Sequence, residues 1–461
     1  MNKKTIKIGT LCLMTALGAC NNTEKANFGN NEEYQLLGGT NVGDEPPLNC
    51  EETPEAFGCD SDDDVPDLPG EGGSGGGHAS GVTVGIWGTI PTAPAEPNDY
   101  ATTFSVGRFH ACVIWNGEFG CWGKGDSGQL GAGSYSNRSY PAAPNGLATE
   151  VVSVGAGYDH TCTIQNGLVK CFGSNSHGQL GNYTAGNKKN QFVTVIKGDG
   201  TQLTKANDVA AGAYFSCANT ESGVYCWGKN NYGQLGDGTH FNSNGPVKAY
   251  STEGIQVATG RQHACLIKKN KKALCWGYNY YGQLGINNTT NKSSPQVVSG
   301  NISFKKIGAG FNHTCGLTTS GDVYCWGFNN DGQLGRVSTT TCGSAKCERT
   351  PKKVDLSGIV ATDLAVGDNS TCVIGDGRLL CWGKNTGNLI SKTDSYSKSF
   401  FEPVQHWNIN FGAKNVSIGA SHACVKYHNN YMQCWGDNNY GQLGTGDTSS
   451  HNDPQSVIGT Y

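Results

Sequence analysis

The sequence predicts an all-β protein built from seven four-stranded repeats, arranged as the blades of a β-propeller. The first observation behind this prediction is a pair of cysteines nine or ten residues apart, which the chain repeats seven times. The second is the period, because the second cysteines of these pairs recur every 49 to 56 residues. The third is that each pair brackets a turn signal flanked by β-branched runs. A fixed period of this size is typical of repeat architectures.

The turn residues between the two cysteines of a pair predict the register in which the two flanking strands pair. Asn166-Gly167 separates two β-branched runs, and Asn-Gly favours a two-residue type I′ turn because both positions need positive φ. Counting outward from this turn places Cys162 opposite Cys171 at a non-hydrogen-bonded position, where side chains are closest and a disulfide fits. We therefore predict seven hairpin disulfides, which join Cys112 to Cys121, Cys162 to Cys171, Cys217 to Cys226, Cys265 to Cys275, Cys315 to Cys325, Cys372 to Cys381 and Cys424 to Cys434.

The other repeats follow the same count with small variations. Asn116-Gly117 and Asp376-Gly377 centre two further pairs, whereas Ser222-Gly223 of the third repeat lies off centre. Where the cysteines are ten residues apart, a three-residue loop restores the register: Lys269 to Lys271, Thr319 to Gly321 and His428 to Asn430.

A Gly-Gln-Leu-Gly motif follows most hairpins. It begins at Gly128, Gly178, Gly233, Gly282, Gly332 and Gly441. A variable loop comes next, and then a short β-branched run that usually starts near a proline. Each repeat thus offers about four short strands and no convincing helix. Sheets stacked around a ring bury both faces, which a lone hairpin cannot do.

Cysteine usage indicates an oxidising compartment. Of the 20 cysteines, the hairpins use seven pairs, and two further disulfides are predicted, one joining Cys342 to Cys347 and one joining Cys50 to Cys59. Complete pairing of this kind is typical of exported proteins. The alternatives are reduced core cysteines or metal ligands, but no Cys-x-x-Cys spacing occurs and we expect no metal site.

Residues 1–19 are predicted to be a lipoprotein signal peptide. Lys3, Lys4 and Lys7 precede a short apolar stretch that ends in Leu17-Gly-Ala-Cys20, which resembles a bacterial lipobox. Cys20 would then be lipidated and become the mature N-terminus. Asn21 follows instead of Asp, which resembles signals for the outer membrane. We expect a lipid-anchored protein of the bacterial outer membrane that faces the periplasm or the exterior, held by lipid alone.

Residues 20–82 are predicted to be an acidic, Gly-rich flexible linker, followed by the propeller at 83–461. Residues 21–100 hold 16 acidic residues and one basic residue. The run Asp60 to Asp67 loosely resembles calcium loops but lacks their glycine, so a solvated acidic run is the preferred interpretation and calcium binding stays open. Since the whole chain carries −4, residues 101–461 carry about +8, which would steer anionic partners or simply solvate the surface.

Three spaced motifs carry a family resemblance over roughly residues 101–461. They are Gly-x-x-His-[Thr/Ala], Cys-Trp-Gly-x-Asn and Gly-Gln-Leu-Gly, and together they resemble the repeats of the regulator of chromosome condensation family. The resemblance implies a seven-bladed propeller, closed by a strand from one terminus that completes a blade begun at the other. Pro454 to Val457 is the expected closing strand. The sixth repeat departs from the pattern, with Gly387-Asn-Leu-Ile390 in place of Gly-Gln-Leu-Gly.

The recurring histidines and tryptophans are expected to be structural. His110, His160, His263, His313 and His422 precede the first cysteine by two residues, and blades would hold them far apart around the ring. An imidazole that ties a strand to its neighbour needs no catalytic role. The tryptophan that follows six of the seven second cysteines is expected to pack between blades.

The two residues between the glycine and the histidine diverge between repeats. The resemblance implies that this corner faces one rim of the propeller and often meets partners. Phe, Tyr and Arg are enriched at interface hot spots, whereas the alternative is that these aromatics merely fill the rim. We predict an exposed partner-binding rim of Arg108, Phe109, Tyr158, Asp159, Tyr214, Arg261, Gln262, Phe311 and Asn312.

The predicted function is that of a non-enzymatic, monomeric binding module for an unidentified protein or glycan on the bacterial envelope. The sequence contains no catalytic set, phosphate loop or cofactor motif, so we expect no catalytic residues, no cofactor and no nucleic-acid partner. Three alternatives remain open. They are a hydrolase or lyase acting on polysaccharides at the channel mouth, an inhibitor that binds an enzyme, as in a secreted bacterial member of the family, and a purely structural envelope role.

Overall fold

The structure is a computed structural model that describes residues 27–28, 32–33, 104–115, 118–145, 150–396, 398–409, 411–429 and 431–459. The chain separates into two units, 1–83 and 84–461. In the first unit, the short strands Asn27–Phe28 and Glu32–Glu33 pair antiparallel. The predicted signal peptide, lipidated Cys20, the predicted disulfide between Cys50 and Cys59, and most of the predicted linker lie outside the described residues.

The second unit is a ring of seven blades. Six blades are antiparallel sheets of four consecutive strands, and blade 5 has the same four strands and one extra short strand. We number the blades 1 to 7 along the chain and name the strands of each blade inner, second, third and outer from the central channel outward. The inner strands are Phe104–Val106, Val151–Ala156, Ala206–Ala211, Gly254–Thr259, Phe304–Ala309, Ala361–Val366 and Ala413–Ile418. The second strands are His110–Trp115, His160–Gln165, Phe215–Thr220, His263–Lys268, His313–Thr318, Ser370–Gly375 and His422–Tyr427.

The third and outer strands complete each blade. The third strands are Glu118–Gly123, Leu168–Gly173, Gly223–Gly228, Ala273–Gly277, Val323–Phe328, Arg378–Lys384 and Met432–Gly436. The outer strands are Arg138–Ala142, Lys189–Thr194, Ser243–Tyr250, Lys292–Val297, Ala345–Lys353, Ser399–Gln405 and His451–Ser456. The all-β, seven-bladed prediction is confirmed. The described residues hold one three-residue 3₁₀ helix, Thr386–Asn388, and no helix among them could span a membrane.

The seven hairpin disulfides form in the predicted register. In every blade the first cysteine lies directly opposite the second, with their Cα atoms 4.1 Å apart. The second cysteines, which the third strands carry, are Cys121, Cys171, Cys226, Cys275, Cys325, Cys381 and Cys434.

The turns of these hairpins follow the prediction with one exception. The three-residue loop of blade 4 is confirmed, since the Lys268 amide donates to the Lys272 carbonyl. In blade 3 the turn is Glu221-Ser222, and Gly223 pairs with Thr220, which resolves the off-centre signal. The Asn116-Gly117 turn lies outside the described residues.

Blade 5 carries an extra hairpin on its outer strand. Thr341–Cys342 pairs antiparallel with the start of Ala345–Lys353. The predicted disulfide between Cys342 and Cys347 closes this hairpin.

The hydrophobic core lies between the blades as seven separate clusters, one at each junction. At the junction of blades 3 and 4, Trp276 of the later blade packs with Leu235 from the Gly-Gln-Leu-Gly motif of the earlier one. The indole of Trp276 donates to the Gln234 carbonyl, N to O 2.9 Å. Equivalent bonds join Trp122 to Gln442, Trp227 to Gln179, Trp326 to Gln283 and Trp382 to Gln333. The tryptophans are therefore inter-blade residues, as predicted.

Blade 6 reaches the same geometry with a different motif. Ile390 donates its amide to the Asn385 side chain, as Leu235 does to Asn230, so the motif is aligned one residue later than the sequence suggests. Asn388, with φ of 55°, occupies the position that glycine takes in the other blades. Asparagine is among the few residues that adopt this left-handed conformation readily. The Leu389 carbonyl replaces that of glutamine as acceptor for the Trp435 indole.

The ring closes without exchange of a strand, so the predicted closing strand is wrong. His451–Ser456, which contains Pro454, pairs with Met432–Gly436 and completes blade 7 itself. Blade 1 already owns four strands, so it has no vacant edge to fill. Side chains close the seam instead. Trp122 and Val106 of blade 1 pack with Leu443 and Met432 of blade 7.

Candidate functional site at the channel mouth

A central channel of about 780 Å³ is lined by the inner strands of all seven blades. Each inner strand runs to a glycine, and the turn into the second strand begins there. A Cβ atom on Gly107 would lie 2.5 Å from the Gly157 carbonyl oxygen of the next blade, so the position needs glycine. The Arg108 amide donates to that same oxygen at 3.1 Å. These interlocked turns form one mouth of the channel.

The residue after each glycine lies at this mouth. We call these seven positions the mouth ring: Arg108, Tyr158, Ala213, Arg261, Phe311, Asp368 and Ala420. Two of the seven are alanines, in blades 3 and 7, so the ring leaves room on two sides. The other five carry all of its charge and all of its aromatic surface.

One hydrogen bond crosses the mouth. The Tyr158 hydroxyl of blade 2 donates to the Asp368 carboxylate of blade 6, O to O 3.4 Å. The tyrosine is buried, with 8% of its surface exposed. Because blades 2 and 6 stand on opposite sides of a seven-membered ring, this bond forms a floor across the opening.

Two arginines flank this floor, one from blade 1 and one from blade 4. The Arg108 guanidinium carbon lies 4.7 Å from the centre of the Tyr158 ring, and that of Arg261 lies 3.9 Å from the centre of the Phe311 ring. Both are cation–π contacts, which hold the planar guanidinium flat against an aromatic face. Nε of each arginine is buried and has no hydrogen-bond partner.

The mouth carries more positive than negative charge. Burial raises the pKa of the Asp368 carboxyl, and Arg108 and Arg261 oppose that shift. Burial also raises the pKa of the Tyr158 hydroxyl, again against the two arginines. Both arginines therefore act on both partners of the crossing bond. Two guanidinium groups face a single carboxylate, so one positive charge is left without a counter-ion in the ring.

The second residue of the turn packs outward in blades 1, 2 and 3, against the loop before Gly-Gln-Leu-Gly of the preceding blade. The Phe109 ring of blade 1 lies 5.6 Å from that of Tyr440 of blade 7. The Tyr214 ring of blade 3 lies 5.1 Å from that of His177 of blade 2. These contacts brace the turns that hold the mouth ring.

The prediction that the rim residues are exposed is therefore wrong. None of its nine residues is fully exposed, since Tyr158 is buried and the other eight are half-buried. The structure brings Arg108, Tyr158, Arg261 and Phe311 together at the mouth, and places Phe109, Asp159 and Tyr214 in the bracing layer around them. Gln262 and Asn312 hold the equivalent turn positions in blades 4 and 5, where their backbone carbonyls accept from the Tyr278 and Phe328 amides. Sequence reasoning left Asp368 out of the rim, although it occupies an equivalent position.

Sequence reasoning also missed residues on the loops after the third strand. Lys124 pairs with Asp159 across the junction of blades 1 and 2, N to O 3.4 Å. Its position directly after Cys-Trp-Gly is a signal that could have found it. A tyrosine cluster extends the same face over blades 3 to 5 and comprises Tyr232, Tyr278, Tyr280, Tyr281 and Phe328.

Comparison with known proteins decides the family. The model of the RCC1-like domain matches residues 28–387, and models of the regulator of chromosome condensation (RCC1) repeat match residues 413–442 and 434–460. The chain belongs to the RCC1-like family. It is 30% identical to the ultraviolet-B receptor UVR8 of Arabidopsis thaliana over 364 residues, which is 77% of this chain and 80% of the receptor.

Solved structures share the RCC1-like fold. Yeast RCC1 (Prp20), in its structure bound to Kap60, is 20% identical, with a TM-score of 0.64 that covers 80% of this chain and 90% of Prp20. Human WBSCR16 is 21% identical, with a TM-score of 0.60 that covers 73% of this chain and 92% of that protein. At these identities the likeness is one of fold.

The histidines of this RCC1-like propeller join neighbouring blades, as predicted. Four of the imidazoles lie within hydrogen-bond distance of a hydroxyl on the next blade: His110 to Thr161, His160 to Ser216, His263 to Thr314 and His313 to Thr371. His422 differs, because blade 1 has Ala111 at the hydroxyl position and both ring nitrogens are buried without a partner. Burial lowers the pKa of His422 to about 3.

Below the mouth, polar side chains on the inner strands of the RCC1-like ring form hydrogen bonds and an ion pair between neighbouring blades. Asp208 accepts bonds from the Val257 amide and the Ser153 hydroxyl, and burial raises its pKa to about 7. Asp363 accepts from the Val416 amide and pairs with Lys306. Among the described residues, no group of three or more His, Cys, Asp or Glu side chains is placed to hold a metal ion.

Proposed function

We propose that this RCC1-like propeller is a non-enzymatic binding module, tethered to the bacterial outer membrane through lipid on Cys20, and that it holds a protein or glycan partner at its channel mouth. The observation that carries the proposal is the mouth itself. Two arginines, stacked on Tyr158 and Phe311, stand at the opening with buried donors that nothing in the ring satisfies.

The disulfides support export. Each blade holds one hairpin disulfide, and blade 5 holds a second one. Disulfides persist in oxidising compartments, which include the periplasm and the cell surface. A basic head and an apolar stretch that ends at Cys20 supply the export signal and the lipid attachment site.

The mouth supports binding because of its residue types and its rigidity. Arginine, tyrosine and tryptophan dominate interface hot spots, and hot spots cluster in desolvated positions. Arg261 and Tyr158 stand on turns that the Gly310 and Gly212 carbonyls fix through backbone hydrogen bonds. Preorganised side chains lose little conformational entropy when a partner binds.

The relatives support a binding role. UVR8 is named as a receptor, and the structure of yeast RCC1 is that of a complex with the protein Kap60. We extend from them only the general role of a binding or regulatory propeller.

The enzyme alternative would need carboxylates that are free to reach a substrate in the channel. Asp376 lines the channel at its opposite end, in the hairpin turn of blade 6. Asp208 and Asp363 lie in the channel wall between the two ends, and each is bonded to a neighbouring blade. We assign them to the wall. This leaves the mouth, which carries binding chemistry, as the site of function.

Two measurements test the proposal. Cys20→Ser should release the protein from the membrane fraction and remove the lipid from its N-terminal peptide in mass spectrometry, and an unchanged membrane fraction would contradict the anchor. Crosslinking on intact cells, followed by mass spectrometry, should recover a partner with the natural chain. The Arg108→Gln/Arg261→Gln variant should lose that partner, whereas Arg378→Gln, on the opposite face of blade 6, should keep it.

A further inference from the structure

The excess positive charge at the mouth indicates that the ligand is negatively charged. Arg108 and Arg261 both act on Asp368, yet neither forms an ion pair with it. Guanidinium groups bind carboxylates through paired N–H donors. Nε of each arginine is buried in the ring without a hydrogen-bond partner. The ring therefore supplies donors and charge for one more carboxylate than it contains.

The aromatic rings of the mouth stack against these arginines and not against a sugar. The Arg108 guanidinium lies over the Tyr158 ring at 4.7 Å and the Arg261 guanidinium lies over the Phe311 ring at 3.9 Å, so one face of each ring is already occupied. A neutral sugar ring would need an open aromatic face for stacking. An anionic group meets two oriented donors instead.

The shape of the site favours a group that enters end-on. The Tyr158–Asp368 bond closes the bottom of the mouth, and seven interlocked turns surround it. A polysaccharide that runs along the surface needs an open groove. A side chain that projects from a protein loop can enter such a cup with its terminal carboxylate.

We propose that the channel mouth is a receptor for a carboxylate side chain of a partner protein, with Arg108 and Arg261 as the residues that bind it. This inference rests on the proposed binding function and names the chemistry of the partner. Asp368 holds the Tyr158 hydroxyl in place between the two arginines. Because Asp368 already balances one of the two positive charges, the site accepts one added negative charge. The alanines of blades 3 and 7 leave the space through which the carboxylate approaches the guanidinium groups.

The test uses the full disulfide-bonded chain and a fluorescent decapeptide of alternating glutamate and serine, with the glutamine version of the same peptide as its matched probe. Anisotropy should show binding of the glutamate peptide and at least about tenfold weaker binding of the glutamine peptide, since hydrogen bonds to charged groups are stronger than those between neutral groups. Arg108→Gln and Arg261→Gln should each weaken glutamate-peptide binding about tenfold. Arg378→Gln removes the same charge from the opposite face and should change it by less than about twofold.

Two results would overturn the inference. One is equal affinity for the two peptides, or equal effects of the mouth and control variants, with melting temperatures unchanged. The other is an Arg261-dependent affinity for oligogalacturonate well above that for the glutamate peptide, which would make the ligand an acidic glycan.

Partner capture on cells is a separate readout that distinguishes this inference from the proposed function. If capture persists in the mouth variants, the binding module stands and the carboxylate receptor fails. If the glutamate peptide binds as expected but no partner is captured, the carboxylate site stands and the binding role on the envelope fails.

Discussion

The Tyr158 hydroxyl donates a hydrogen bond to Asp368 across the channel mouth, O to O 3.4 Å, although the two residues are 210 positions apart in the chain. The bond joins blades on opposite sides of the ring. It leaves Arg108 and Arg261 on either side without an ion pair. The charge of the mouth is therefore set by Asp368, and this leads to the first prediction.

Asp368→Asn should strengthen binding of an acidic peptide. Asparagine keeps a carbonyl oxygen as acceptor for Tyr158 but removes the only negative charge of the mouth ring. We expect affinity for the glutamate decapeptide to rise about three- to tenfold, because a charge that opposes the ligand is lost. Fluorescence anisotropy at two salt concentrations measures this. Asp322→Asn on the opposite face is the matched control, and an equal gain there would mean that only overall charge matters.

Replacement of His422 by phenylalanine should stabilise the protein. Both ring nitrogens of His422 are buried without partners and face Ala111, and blade 3 already carries the same pairing as Phe215 against Ala264. Removal of an unsatisfied buried polar group is worth about 1–2 kcal/mol. Urea unfolding of His422→Phe measures the gain.

The control is the same change at a histidine whose Nε2 has a hydrogen-bond partner. His263 lies 2.9 Å from the Thr314 hydroxyl, so His263→Phe removes a formed bond. We expect a loss of about 1–2 kcal/mol. A loss in both variants would contradict the assignment of His422 as an unsatisfied residue.

Acid should destabilise the propeller below about pH 6.5. Burial lowers the pKa of His110, His263, His313 and His422 to about 3 and that of His160 to about 4. Below 6.5 the unfolded chain binds protons that the folded chain excludes, so the histidines' contribution is present above pH 6.5 and is lost as the pH falls. Each excess proton costs about 1.4 kcal/mol per pH unit.

Two carboxylates, Asp208 and Asp368, act in the opposite direction, because burial raises the pKa of each. The folded pKa of Asp208 is raised to about 7 from 3.8, so its contribution is largest at low pH and falls as the pH rises from 3.8 to 7. Five histidines outweigh these two carboxylates, and stability should decline on acidification. Urea unfolding between about pH 7.5 and pH 5 measures the slope, and His422→Phe should reduce it by about one proton. A flat profile would contradict the burial of neutral histidines.

Loss of one hairpin disulfide should weaken the propeller without changing its fold. Cys265→Ala/Cys275→Ala opens a loop of about ten residues, which costs roughly 2–3 kcal/mol in the chain-entropy description. Denaturant unfolding measures the change, and circular dichroism should keep the β signal. Stability equal to that of the natural chain would show that the strand ladder alone fixes the hairpin.

The sequence predicted the hairpins well because two independent signals agreed. Turn residues such as Asn166-Gly167 and the cysteine spacing both fixed the same register, and every described pair follows it. The motif of blade 6 was misaligned by one residue, because Asn388 adopts the left-handed conformation that glycine adopts at this position in the other blades. The predicted closing strand was wrong, because Pro454 lies in a strand that pairs within blade 7. No local sequence pattern shows how many strands blade 1 already has.

The candidate site was predicted in its residues but not in its geometry. The sequence singled out the diverging positions after each glycine, and the structure places Arg108 and Tyr158 among them at the channel mouth. Their role in binding stays a prediction. Their exposure was mispredicted because seven turns converge on one axis, so that side chains from distant repeats bury one another. The bond between Tyr158 and Asp368 could not be predicted from either repeat alone.

Site-specific photo-crosslinking on intact cells tests the central claim most directly. A photoreactive residue at Gln262, next to Arg261 at the mouth, should capture a partner, and Arg108→Gln/Arg261→Gln in the same chain should abolish that product. The same residue at Glu221, on the opposite face of blade 3, should capture none. A product at Glu221 alone, or one at Gln262 that survives loss of both arginines, would contradict binding at the channel mouth.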